Sequence, residues 1–100
     1  MPYIPVERRK LFDESIDNIV KHLGEIYDGS YGYSFDEKQA KGDLNYIIYS
    51  LVKRFTKSHG EGYFKISNMI GAVHDAEDEL KRRLLHKYED QAIEKNGDIE

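Results

Sequence analysis

Tyr46, Tyr49, Lys53 and Lys57 fall on one side of a helical stretch. Tyr49 and Lys53 are four residues apart, as are Lys53 and Lys57, so they neighbour one another on a helix surface. A solvent-facing side normally mixes Glu, Lys and Gln. Two phenols with two ammonium groups instead combine aromatic area, hydroxyl hydrogen bonds and positive charge. Such a face suits a protein interface, or a nucleotide-like ligand whose base stacks on a ring while its phosphate meets the cations. The plainer reading is packing of the rings on residues 27–41 or on a second copy, because Tyr is amphipathic. Arg8 and Arg9 are the next cations expected at such a ligand.

Asp43 and Asn45 stand where the helix carrying these tyrosines is expected to open. Free N–H groups there favour an anion, but the Asp43 carboxylate already fills that role, and Asp is a preferred cap. Ribose hydroxyls or a partner's backbone suit Asn45 better than phosphate does. Glu77 is the second oddity, a carboxylate within the apolar stripe of the last helix. Buried, it needs a cation, and Arg8, Arg9, Lys53 and His74 are the candidates. A paired structural acid and a ligand-binding one are both consistent with its position.

Other chemistries find no support. His74, Glu77 and Asp78 have helical metal-ligand spacing, yet a di-metal bundle needs matching acid and His pairs from other helices. The first helix offers Asp13, Glu14, Asp17 and His22. The glycines at 29–32 and 60–62 lack the Lys-Ser/Thr that follows a phosphate-binding loop. No Ser, His and acid set can be assembled, and there is no Cys. Neither a catalytic residue nor a metal or other cofactor is expected.

The elements that must position the Tyr/Lys face are helices. Phe12, Ile16, Ile19, Val20 and Leu23 recur at three- and four-residue spacing. They predict a helix from Pro5, a favourable first position, to a stop at Gly24. Residues 27–41 hold three Tyr and two Gly without a sustained period, which predicts a long loop. A second helix is predicted from Asp43, with Leu44, Ile47, Ile48, Leu51 and Phe55 as its stripe. The third runs from about residue 66 to 87 through Ile66, Met69, Ile70, Val73, Leu80 and Leu84. It is supported by Glu77 with Lys81, Asp78 with Arg82 and Glu79 with Arg83, each worth about 0.2–0.5 kcal/mol. Ile93 then falls opposite Leu80, predicting a kink near Tyr88 and a short terminal helix stopped by Asn96-Gly97.

Size and charge bound the rest. One hundred residues make one domain, and Leu, Ile, Val and Phe supply a quarter of them, enough for a thin core. Fifteen basic against nineteen acidic residues give a net charge of −4, which argues against general nucleic-acid binding. No apolar run approaches the roughly 20 residues of a membrane span, and no signal peptide is visible. A cytoplasmic protein is expected.

The opening Met1-Pro2-Tyr3-Ile4-Pro5, the block Gly42-Asp43-Leu44-Asn45-Tyr46, and Tyr88-Glu89-Asp90-Gln91 followed by Asn96-Gly97-Asp98 resemble a family of short proteins encoded mainly by phages and prophages. The resemblance spans both ends and the middle of the chain and leaves out residues 27–41 and 57–67. It implies a genetic setting, with the host cytosol as compartment, and no reaction. Together these readings predict an all-α domain of three main helices that self-associates. Its expected function is non-catalytic: it binds a small anionic nucleotide-derived ligand, such as a host immune signal, through Tyr46, Tyr49, Lys53, Lys57, Arg8, Arg9 and Asn45. The rival is an interaction module that docks on a host or phage protein and holds no small molecule.

Overall fold

The computed structural model describes residues 2–60 and 62–99; Met1, which opens the first motif, lies outside them with Glu61 and Glu100. The protein is all-α, with three main helices and a short one. Among the described residues the only extended pairing is a single antiparallel bridge between Asp28 and Ser34. The chain divides into two compact units, one of Ile4–Ser58 and one that joins Pro2 and Tyr3 to the chain from His59 onward.

In the first unit the helix expected from Pro5 to Leu23 is two helices. Pro5 caps α1, Val6–Arg9. A turn follows, closed by the Leu11 N–H on the Arg8 carbonyl at 3.2 Å and the Phe12 N–H on the Arg9 carbonyl at 3.0 Å. α2 then begins afresh at Asp13–Tyr27. The charge order favours this break, because Arg8 and Arg9 end one helix and Asp13 and Glu14 open the next. Gly24 stops nothing. It lies inside α2, where an interior Gly costs about 1 kcal/mol relative to Ala.

The connection after α2 is shorter and more ordered than the predicted loop. The Asp28 carboxylate accepts the Ser30 N–H at 2.8 Å, and the Gly32 N–H reaches the Gly29 carbonyl at 3.0 Å. Gly29 and Gly32 take φ of +99° and +82°, which side chains with a Cβ disfavour. α3, Glu37–His59, starts six residues before Asp43. The Asp36 carboxylate accepts the Lys38 N–H at 3.0 Å and so performs the capping expected of Asp43.

In the second unit α4, Tyr63–Leu80, passes through a π-helical turn, Lys81–Leu85, into α5, His86–Asn96, without interruption. At 1.5 Å per residue this rod is about 50 Å long. The irregularity expected near Tyr88 is the wide turn just before it, and the short terminal helix expected to stop at Asn96-Gly97 is α5. Gly97, with φ of +87°, closes the rod through its N–H on the Ile93 carbonyl at 2.8 Å.

No residue of either unit is buried among the described residues, where the expected thin core is therefore not seen. The apolar stripes exist as spaced positions but stay open: Ile16 and Phe55 are each 53% exposed, Leu80 59% and Ile93 44%.

Candidate functional site

α3 carries five of the seven expected ligand residues, Asn45, Tyr46, Tyr49, Lys53 and Lys57, all exposed. Lys53 Nζ lies 5.7 Å from the centre of the Tyr49 ring, a cation–π contact that forms the expected Tyr/Lys pairing. Tyr46 faces elsewhere. Together with Ile19 and His22 of α2 and Ile47, Leu51, Arg54 and Phe55 of α3, it lines an open groove of about 520 Å³. That volume lies within the ordinary range of small-molecule sites. The walls are mostly apolar, while His22, Tyr46 and Arg54 supply polar tips.

The structure separates the remaining candidates from this groove. Arg9 Nε donates to the Ile4 carbonyl at 2.7 Å and ties the N-terminal segment to α1. Arg8 stands exposed on α1, and neither arginine lines the groove. Asn45, Tyr49, Lys53 and Lys57 are also outside its lining. Arg54 and His22 were not singled out from the sequence. The available signal was spacing, since Tyr46, Ser50, Arg54 and Ser58 recur every four residues along α3 and all line the groove.

Asp43 sits within α3 and serves as a brace. The Tyr27 hydroxyl, at the end of α2, donates a hydrogen bond to Asp43 Oδ2. That bond comes first, followed by partial desolvation and the carboxylate's charge, in pushing the Tyr27 phenol up to about 12. The Phe35 ring packs edge-on against Tyr27 at 5.8 Å and 89°, and His22 meets Tyr31 at 6.2 Å. α2 and α3 are thereby held together one turn before Tyr46. A phenol whose pKa is raised on folding stabilises the fold fully below its ordinary value of 10. That contribution disappears as pH rises through about 12. Tyr27→Phe is expected to lower the unfolding midpoint at neutral pH and to remove this alkaline step. Denaturant melts at pH 7, 10 and 12 check it, and a variant that keeps the wild-type alkaline profile would contradict the brace.

The second unit reverses the roles expected of two acids. Glu77 is 55% exposed and pairs with Lys81 at 3.0 Å and His74 at 3.7 Å, all on its own helix. Glu79, expected on the solvated face, keeps only 18% of its side chain exposed. It accepts the Tyr3 hydroxyl at 2.9 Å and Arg82 Nε at 2.6 Å, while the Arg83 guanidinium lies 5.8 Å from the Tyr3 ring centre. Arg82 above all, with Tyr3, holds the Glu79 carboxyl below its ordinary value. Asp78 pairs with His74 at 3.4 Å.

Among the described residues no cluster of three or more His, Asp or Glu is placed to hold a metal ion, and no helix is long and apolar enough to cross a membrane. The chain belongs to the family described as Domain of unknown function (DUF6899), whose model matches residues 1–99. No curated protein and no solved structure matches it.

Proposed function

For this member of the family, we propose a non-catalytic accessory role: capture of a small anionic, nucleotide-derived ligand in the groove between α2 and α3. The observation that carries the reading is the join of an apolar slot to cations along one helix. Ile47, Leu51 and Phe55 offer walls for a base, Tyr46 a stacking ring, and Arg54 with His22 donors for phosphate. Tyr49, Lys53 and Lys57 extend the positive, aromatic surface beyond the rim. The groove is open, so a deep pocket requires a second wall, which self-association would supply. The phage resemblance sets the biological frame, sequestration of a host immune signal in the host cytosol.

The rival reading, docking on a host or phage protein, draws on a different observation: most of the apolar stripe residues are exposed, with Leu23, Ile47 and Met69 half-buried. The absorption spectrum of protein purified from cells separates the two. The chain has eight Tyr and no Trp, so a bound purine adds a clear 260 nm shoulder that acid precipitation releases into the supernatant. A spectrum of Tyr alone, with no melting shift against nucleotides, would favour the protein partner.

A further inference from the structure

The rod of α4 and α5 has an apolar seam that the groove does not use. Ile66, Ile70, Val73, Leu80 and Leu84 follow one another at alternating steps, with Glu77 in the single polar place between Val73 and Leu80. Tyr63, three residues before Ile66, begins the series. The steps are three, four, three, four, three and four, a strict seven-residue repeat, which is the pattern of a helix that winds around another helix. The π-helical turn Lys81–Leu85 absorbs one extra residue. It thereby returns Tyr88, instead of Lys87, to the same line. Glu79, which holds Tyr3, lies off this line.

We propose that this seam is an antiparallel coiled-coil interface between two copies of the chain. Along it Ile66 is 40% exposed, Ile70, Leu80 and Leu84 59% each, Val73 37% and Tyr88 69%. These side chains and Tyr63 offer on the order of 800 Å² per chain, about what each partner gives to a standard interface. A second copy has by necessity the same repeat and the same length. Glu77 decides the direction. A parallel pair sets the two Glu77 carboxylates against each other in one layer, where like charges repel. An antiparallel pair with Ile70 opposite Leu80 of the partner subunit, and Ile66 opposite Leu84 of the partner subunit, faces Glu77 with Val73 of the partner subunit. That places it beside His74 of the partner subunit, a cation when protonated. Glu77 thus sits in the stripe because the pairing is antiparallel.

The absence of Cys makes the test direct, on the full chain and without nucleotide. Light scattering of the wild type at about 20 μM is expected to give a dimer or an even multiple of it. Ala76→Cys, next to the two-fold axis, is expected to be linked by a short bismaleimide into a covalent dimer. Ile66→Cys alone is expected not to link, because the two copies of residue 66 lie about 27 Å apart along the axis. An equimolar mixture of Ile66→Cys and Leu84→Cys is expected to link. Ile70→Glu is expected to lower the mass to monomer. A monomeric wild type overturns the proposal, and so does efficient linking of Ile66→Cys to itself. An unchanged mass for Ile70→Glu with wild-type helix content also overturns it.

Discussion

Tyr46→Ala is expected to weaken nucleotide binding by roughly 5- to 150-fold, the span corresponding to about 1–3 kcal/mol for one base stacked on one aromatic side chain. Tyr46 is 63% exposed and lines the groove beside Ile47 and Leu51, so its loss removes a stacking surface without disturbing packed neighbours. Tyr49→Ala tests the alternative placement, since that ring carries Lys53 outside the groove. If the ligand sits in the groove, Tyr49→Ala changes affinity less than Tyr46→Ala. Arg54→Glu should act as strongly as Tyr46→Ala and should blunt the salt dependence, because it turns a phosphate donor into a repelling charge. Isothermal titration of the three variants settles the order. A larger loss from Tyr49→Ala than from Tyr46→Ala would move the site to the outer face of α3.

Glu79→Gln is expected to destabilise the second unit several times more than Glu77→Gln. Three groups converge on Glu79: the Tyr3 hydroxyl, Arg82 Nε and the Arg82 terminal nitrogen at 2.6 Å. Glu77 meets only Lys81 and His74 in water, where ion pairs contribute little. The pH dependence follows from the lowered Glu79 pKa. A carboxylate lowered on folding stabilises the fold above its ordinary value, and that stability is lost as pH falls through the folded value. The wild type should therefore weaken in acid more steeply than Glu79→Gln, and amide exchange at Tyr3 should quicken in the variant. Equal melting points for the two variants would show that the Tyr3 clasp is not formed in solution.

Much of the helical content was legible because apolar spacing is local. The stripes through Ile16 and Ile19, Leu44 and Leu51, and Ile66 and Leu80 all lie on the helices they predicted. Helix ends were less legible, because several residues compete for each one. Residues 37–41 contain good helix formers, yet Gly42 beside Asp43 imitates a start, and only Asp36 makes the capping bond. Gly24 likewise imitates a stop that the stripe of α2 overrides. The π-helical turn has no residue signature of its own and showed only as a lost period near Tyr88. Contacts between distant residues were not readable from spacing: Tyr3 with Glu79 spans 76 positions and Tyr27 with Asp43 spans 16. The groove was half legible, since Tyr46 stood out by type while Arg54 and His22 depend on how α2 lies across α3.

A nucleotide-derived anion held in the α2–α3 groove should raise the temperature at which the chain unfolds. A ligand that binds only the folded chain stabilises it by about 2.7 kcal/mol at a hundred times its dissociation constant. Wild type, Tyr46→Ala and Arg54→Glu are to be melted with a panel of nucleoside mono-, di- and triphosphates and cyclic dinucleotides at millimolar concentration. The predicted result is a rise of several degrees for at least one compound with the wild type, and little or none with either variant. No rise with any compound for wild-type protein first stripped of bound ligand, or an equal rise in all three proteins, would contradict it.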